Sequence, residues 1–88
     1  MNIGINKVFL KELAKLPAKE RLKVEKFLFE EILNYKSPFQ IPNFEKLKGY
    51  RNYYKIRFGD YRAGLKIEND TLYFERILHR KDIYKFYP

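Results

Sequence analysis

Residues 53–87 constrain the fold most, because apolar and polar side chains alternate along them with a period of two. That period is typical of strands with one buried face. The dipeptides Gly59-Asp60 and Asn69-Asp70 divide the stretch with tight turns. The pattern therefore predicts three strands joined by hairpin turns, at residues 52–58, 61–68 and 71–78.

The first two strands are expected to carry cations on one face. Lys55 and Arg57 alternate with Tyr54, Ile56 and Phe58, and Arg62 lies on the polar side of the second strand. Side chains two residues apart lie about 7 Å apart, and neighbouring strands about 5 Å apart. Like charges this close repel unless an anion joins them, which favours a phosphate ligand over a solvated strand face.

The third strand is expected to be partly apolar on both faces. One face would hold Leu72, Phe74 and Leu78, and the other Tyr73, Glu75 and Ile77. A strand of this kind is typical of a central or well-covered position.

Two helices are predicted before the sheet. Asn6 is a plausible N-cap of a helix to about Leu16, and Pro17 opens a second helix from about Ala18 to Asn34. The apolar side of the second helix would hold Leu22, Val24, Phe27, Leu28, Phe29, Ile32 and Leu33. The predicted fold class is α+β, with residues 1–88 as a single domain. A two-helix antiparallel hairpin packs on a small, mostly antiparallel, twisted sheet of three or four strands (β-α-α-β-β-β), followed by a helical turn or an extended tail.

The charge distribution points to an anionic partner. The net charge is +8, and residues 46–88 carry 11 basic and 5 acidic side chains with seven of the eight tyrosines. Such clustering is typical of nucleic-acid binders, although a protein partner is also compatible with it. The absence of cysteine excludes disulfides and Cys-based metal sites. Neither a signal peptide nor a membrane-spanning run is visible, so a cytoplasmic protein is expected.

His79, Arg80 and Tyr84 add candidate proton carriers after the third strand. His79 is the only histidine, and histidine titrates near neutral pH. The acidic residues have no ligand-like spacing, so neither a metal nor another cofactor is expected.

The segments KLKG (46–49), YYKIRFGDYR (53–62) and LHRKDIY (78–84) resemble the RelE/ParE superfamily of toxins from bacterial toxin–antitoxin pairs, and the RelE branch most. The resemblance covers nearly the whole chain. It implies an mRNA endonuclease that acts in the ribosomal A site and is silenced by a small antitoxin protein. The family's site residues fall on Lys55, Arg57, Arg62, His79, Arg80 and Tyr84. The spacing from Arg80 to Tyr84 is shorter than in the best-known RelE, and some relatives have lysine where Arg57 stands.

RNA supplies its own nucleophile, the 2′-OH, so cleavage needs only a base, an acid and cations around the phosphate. Lys55 or His79 is a candidate base, whereas Arg57 cannot serve as one. Arg57, Arg62 and Arg80 would hold the phosphate, and Tyr84 would stack, orient the substrate or donate a proton. Two alternatives stay open: a ParE-like toxin that inhibits DNA gyrase, and a non-catalytic module that binds RNA or protein.

Overall fold

Five strands form one sheet in the order β1-β5-β4-β3-β2 in the computed structural model, which describes residues 1–88. The strands are β1 (Asn2–Ile5), β2 (Phe44–Lys46), β3 (Tyr53–Phe58), β4 (Tyr61–Glu68) and β5 (Thr71–His79). β1 pairs in parallel with β5, and all other neighbours are antiparallel. The predicted α+β class is confirmed, with one strand more than the three or four expected, because β2 pairs with β3.

Both predicted hairpin turns are present. Phe58 pairs with Tyr61 across the first turn. Asn69 and Asp70 in the second turn have positive φ angles of 52° and 58°. Two successive left-handed residues match the right-handed twist of the flanking strands, and asparagine and aspartate tolerate this conformation.

The helices precede most of the sheet. α1 (Lys7–Ala14) begins at the predicted cap, where the Phe9 N–H donates to Asn6 Oδ1 at 2.8 Å. α2 (Ala18–Phe29) ends earlier than predicted, because Glu30 leaves the helical region with φ −128° and a 3₁₀ turn (Glu31–Asn34) follows. Another short 3₁₀ helix (Pro38–Gln40) leads towards β2.

The main core lies between α1, α2 and one face of the sheet. Phe9 of α1 meets Phe74 edge-on at 5.5 Å between ring centroids, and Phe27 of α2 meets Phe58 at 5.3 Å. Edge-to-face pairs at these distances are favourable beyond the area they bury. Two residues of the predicted apolar side, Leu22 and Phe29, are exposed, as is Leu33 just beyond α2.

A β-bulge interrupts β5. Gly64 pairs with Arg76 and Leu65 with Phe74, so Glu75 is an extra residue between two regular pairs. An extra residue reverses the alternation beyond it. Ile77 therefore joins the buried core and Leu78 turns to the other face, opposite to the prediction for these two side chains.

The second face of the sheet is partly covered by the last residues. α3 (Ile83–Phe86) forms the helical turn foreseen as one of two outcomes. Ile83 and Tyr87 pack with Leu47 in a small separate buried cluster. The Tyr87 ring lies so close to Gly64 that a Cβ there would come within 2.6 Å of it. No helix is both long enough and apolar enough to cross a membrane.

Candidate nucleic-acid interface

The strand register brings the three strand cations to one face. Lys55 and Arg57 are two residues apart on β3, and Arg57 lies directly opposite Arg62 of β4. Lys55 lies opposite Gly64, which carries no side chain, and the Tyr87 ring packs over that glycine. Lys55 and Arg62 are half-buried and Arg57 is exposed. We call Lys55, Arg57 and Arg62 the cationic row.

Hydrogen bonds to neighbouring loops orient the two arginines of the row. Arg57 Nη2 donates to Asn43 Oδ1 at 3.1 Å. Arg62 Nη1 donates to the carbonyl oxygens of Gly59 at 2.6 Å and Tyr61 at 3.0 Å. Because each anchor uses one terminal nitrogen, the other guanidinium N–H groups are left for an anion. Sequence reasoning did not single out Asn43, which pairs with Arg57 only because β2 brings it alongside β3.

Tyr84 of α3 contacts the cationic row at Lys55. Lys55 Nζ donates to Tyr84 Oη and lies 4.8 Å from the centroid of its ring. Tyr84 is nevertheless 61% exposed, so its ring remains open to a ligand.

Arg80 directly follows β5 and lies beside the turn between β3 and β4. The backbone N–H of Arg80 donates to the Asp60 carbonyl at 2.8 Å. Asp60 lies in the same turn as Gly59, whose carbonyl accepts from the Arg62 guanidinium. The side-chain Nε of Arg80 lies 3.9 Å from Asp60 Oδ1, and both side chains are exposed. An exposed pair at that distance holds the side chain weakly, so Arg80 can turn towards an incoming anion.

His79 is not brought together with the cationic row. It lies opposite Tyr61, with 5.4 Å between the ring centroids, and Tyr61 packs against the main core. His79 also borders a hollow of about 330 Å³ shared with Glu12 and Leu16 on the helix side. The bulge explains this placement, since it reverses the alternation before β5 ends.

Three polar contacts beside the row were not foreseen from the sequence. The buried Tyr87 hydroxyl donates to Glu75 Oε1 at 2.8 Å, and burial, followed by this carboxylate, raises the pKa of Tyr87. Glu12 Oε2 accepts from Arg76 Nη2 at 2.8 Å, and Glu12 Oε1 accepts from the Ile77 N–H at 3.1 Å. Glu12 and Arg76 are 64 residues apart, so no local pattern could have paired them.

The acidic side chains and His79 form no group of three or more that could hold a metal ion.

Comparison with known proteins gives the family of the chain. Residues 3–84 match the family described as the ParE toxin of the type II toxin-antitoxin system, parDE. The chain is 40% identical to Toxin RelE3 of Methanocaldococcus jannaschii, over the full length of both. It resembles the RelB-RelE antitoxin-toxin complex from Methanococcus jannaschii with a TM-score of 0.79 at 38% identity, covering 97% of this chain and 99% of that one.

A more distant neighbour has the same fold. The archaeal RelE-RelB complex from Pyrococcus horikoshii OT3 matches with a TM-score of 0.67 at 24% identity, over 90% of this chain and 93% of that one. The full-length similarity and the matched family together identify this chain as a member of the RelE/ParE toxin superfamily of type II toxin–antitoxin systems.

Proposed function

We propose that this chain is an endoribonuclease that cleaves mRNA in the ribosomal A site without a metal, and so inhibits translation in the cytoplasm. One observation carries the proposal: Lys55, Arg57 and Arg62 share one sheet face, and Tyr84 contacts Lys55. A compact group of cations beside an exposed aromatic ring suits a single-stranded RNA, which offers both phosphates and unstacked bases.

Arg57 and Arg62 are the phosphate-binding residues of the proposal. Because they are direct cross-strand partners, their Cβ atoms lie about 5 Å apart. That spacing lets both guanidinium groups donate to one phosphate. Fixed donors of this kind stabilise the additional negative charge that develops on the non-bridging phosphate oxygens in the transition state. Arg80 adds a third guanidinium from the neighbouring turn.

Lys55 is the proposed base, acting at the 2′-OH. The 2′-oxygen attacks phosphorus, its proton passes to Lys55, and the bond to the 5′-oxygen breaks to leave a 2′,3′-cyclic phosphate. The leaving 5′-oxygen takes up a proton, for which the Tyr84 hydroxyl is the proposed donor because it is held beside the row. The other candidate base, His79, faces the helices and has no part in this scheme.

A single-turnover assay on ribosomes programmed with an mRNA codon in the A site tests the proposal, with the same mRNA free in solution as a parallel sample. The wild type should cut the bound message. Lys55→Arg should abolish cutting, because arginine keeps the charge but cannot act as a base. His79→Gln is the matched control and should stay active. An intact message with the wild-type protein would overturn the proposal, and an active Lys55→Arg with an inactive His79→Gln would overturn the assignment of the base.

We also propose a cognate antitoxin as the partner. The relatives from Methanococcus jannaschii and Pyrococcus horikoshii were solved as RelB-RelE complexes. On this chain Leu22, Phe29 and Leu33 are exposed on the helix hairpin, and the net charge of +8 favours an acidic partner. Isothermal titration with the product of a small acidic neighbouring gene should give binding that Leu33→Glu weakens, with Lys36→Gln, which changes the net charge equally, as the control. Absence of binding to the wild type would count against the proposal.

A ParE-like toxin that inhibits DNA gyrase is the second candidate function, because residues 3–84 match the family described as the ParE toxin. A gyrase supercoiling assay separates the two. Inhibition of supercoiling by a protein that leaves A-site mRNA intact would favour the gyrase reading over cleavage.

A further inference from the structure

Tyr84 lies on α3, a helix too short to be stable without contacts to the rest of the chain. α3 has only four residues, joined by hydrogen bonds such as Tyr87 N–H to the Ile83 carbonyl at 2.8 Å. A single helical turn is unstable in water, because nucleation fixes several residues for very few hydrogen bonds. Contacts with the rest of the chain therefore decide where the Tyr84 hydroxyl lies.

The first of these contacts is at the beginning of α3. Ile83 is fully buried with Leu47 and Leu78. One apolar anchor fixes this end but leaves the turn free to pivot about it. Tyr84 is the next residue, so its direction depends on how the far end is held.

The far end is held by the buried Tyr87 ring, which packs over Gly64, and by two consecutive residues of the β5 bulge. Glu75 accepts from the Tyr87 hydroxyl at 2.8 Å, and Arg76 Nη1 donates to the Phe86 carbonyl at 3.3 Å. In a regular strand two consecutive side chains point to opposite faces. The extra residue at the bulge is what allows both to reach the same short segment.

Arg76 is itself fixed from the other side. Its Nε and Nη2 donate to the two carboxylate oxygens of Glu12 at 3.0 and 2.8 Å, and this contact raises the pKa of Arg76. Bidentate pairing of this kind fixes the plane of the guanidinium. We call Glu12, Glu75, Arg76 and Tyr87 the bulge clamp.

We infer that the bulge clamp positions Tyr84 against Lys55, and that Arg76 and Tyr87 are positioning residues for the proposed cleavage. The inference rests on the proposed function, but it makes a separate structural statement about the distance between two side chains. None of the four clamp residues belongs to the cationic row. Their loss should therefore slow the chemical step itself, beyond any change in RNA affinity, since misplacement of a reacting group by about 1 Å can reduce a rate by about 100-fold.

Tyr87→Phe and Arg76→Gln test the inference, with Tyr73→Phe as the matched control. Tyr73 also lies across a glycine, Gly4, on the sheet, but makes no side-chain hydrogen bond. Each clamp variant should cut A-site mRNA at least about 10-fold more slowly in single turnover. The Kd for an RNA with a 2′-deoxy block at the cleavage site is measured as well, and the rates are compared at saturating RNA, because a displaced Tyr84 ring also stacks less well on a base. Circular dichroism verifies that each variant is folded.

A second measurement is independent of cleavage. In the wild type, the Tyr84 ring protons should show nuclear Overhauser contacts to the Lys55 side chain, and both clamp variants should lose them. Retained contacts in either folded variant would overturn the inference, as would a rate loss that comes entirely from weaker RNA binding. If the wild type shows the contacts but cuts no RNA, the proposed function fails while the clamp still stands or falls on the NMR result.

Discussion

Substitution of Gly64 by alanine should displace the end of the chain. An added Cβ would lie 2.6 Å from Tyr87 Cδ2 and 2.8 Å from Cε2 and Cγ. Ordinary carbon contacts are about 3.5–4.0 Å, so the ring has to retreat by about 1 Å. Gly64 does not have a positive φ, so alanine brings no backbone strain and the ring contact alone decides the effect.

The expected loss of stability follows from how the ring is held. Tyr87 is only 7% exposed and its hydroxyl is fixed to Glu75, so it cannot rotate away freely. Overpacking a site of this kind costs about 1–3 kcal/mol. For a domain of this size, each kcal/mol lowers Tm by roughly 4–8 °C. We therefore expect Tm to fall by about 10 °C and A-site cleavage to be slowed as well, because displacement of Tyr87 disturbs the support of Tyr84.

Gly4→Ala is the matched control for this experiment. Its Cβ would meet the Tyr73 ring at the same 2.6 Å, but on β1 at the far edge of the sheet from Tyr84. Thermal melts and single-turnover cleavage would be measured for both variants. Gly4→Ala should lose stability and keep its cleavage rate at temperatures where it is folded. Equal activity of the two folded variants would refute the reasoning.

Three further predictions concern pH, stability and RNA binding. Burial raises the pKa of Tyr87 above the usual 10.0, so the stability that Tyr87 contributes is complete below pH 10 and is lost as the pH rises further. If the difference in Tm between the wild type and Tyr87→Phe stays constant from pH 8 to 11, this prediction is wrong. Glu12→Ala leaves the Ile77 N–H of β5 without its acceptor and should lower the free energy of unfolding in urea by about 1–3 kcal/mol. Glu68→Ala, which removes an exposed ion pair with Lys66, should change it very little. Equal losses in the two variants would show that the Glu12 contact with β5 does not stabilise the fold. Replacing Lys48 and Arg51 by glutamine should lower the salt dependence of RNA binding by up to about 0.7 in log–log slope per residue, and an unchanged slope would mean that neither contacts a phosphate.

The regular part of the sheet could be predicted from the sequence. β3 and the first half of β4 alternate without interruption, so Lys55, Arg57 and Arg62 could be placed on one face from the period alone. The turn residues set the register of this hairpin, because a two-residue loop leaves one way to pair the flanking strands. The Asn6 cap was equally local, since it depends on a contact three residues away.

The parts that were wrong depend on contacts across the fold. β2 has only three residues and is a strand because β3 offers it an edge, which no propensity in FEK indicates. The second helix ends at Phe29 although the apolar pattern continues to Leu33. Periodicity could not reveal the bulge either, because alternation was assumed to continue through Glu75. His79 was consequently expected beside the cationic row and lies on the helix side.

Deletion of Glu75 tests directly what the bulge contributes. Without it, Phe74 would still pair with Leu65 and Arg76 with Gly64, so every core residue would keep its face. The variant should therefore fold, whereas deletion of Tyr73 would turn Phe74 away from the core and Glu75 towards it, and should abolish folding. ΔGlu75 loses the acceptor of the Tyr87 hydroxyl and should cut A-site mRNA slowly although it is folded. If ΔGlu75 unfolds as readily as ΔTyr73, the bulge is needed for the core; if it folds and cuts at the wild-type rate, the bulge has no part in positioning Tyr84.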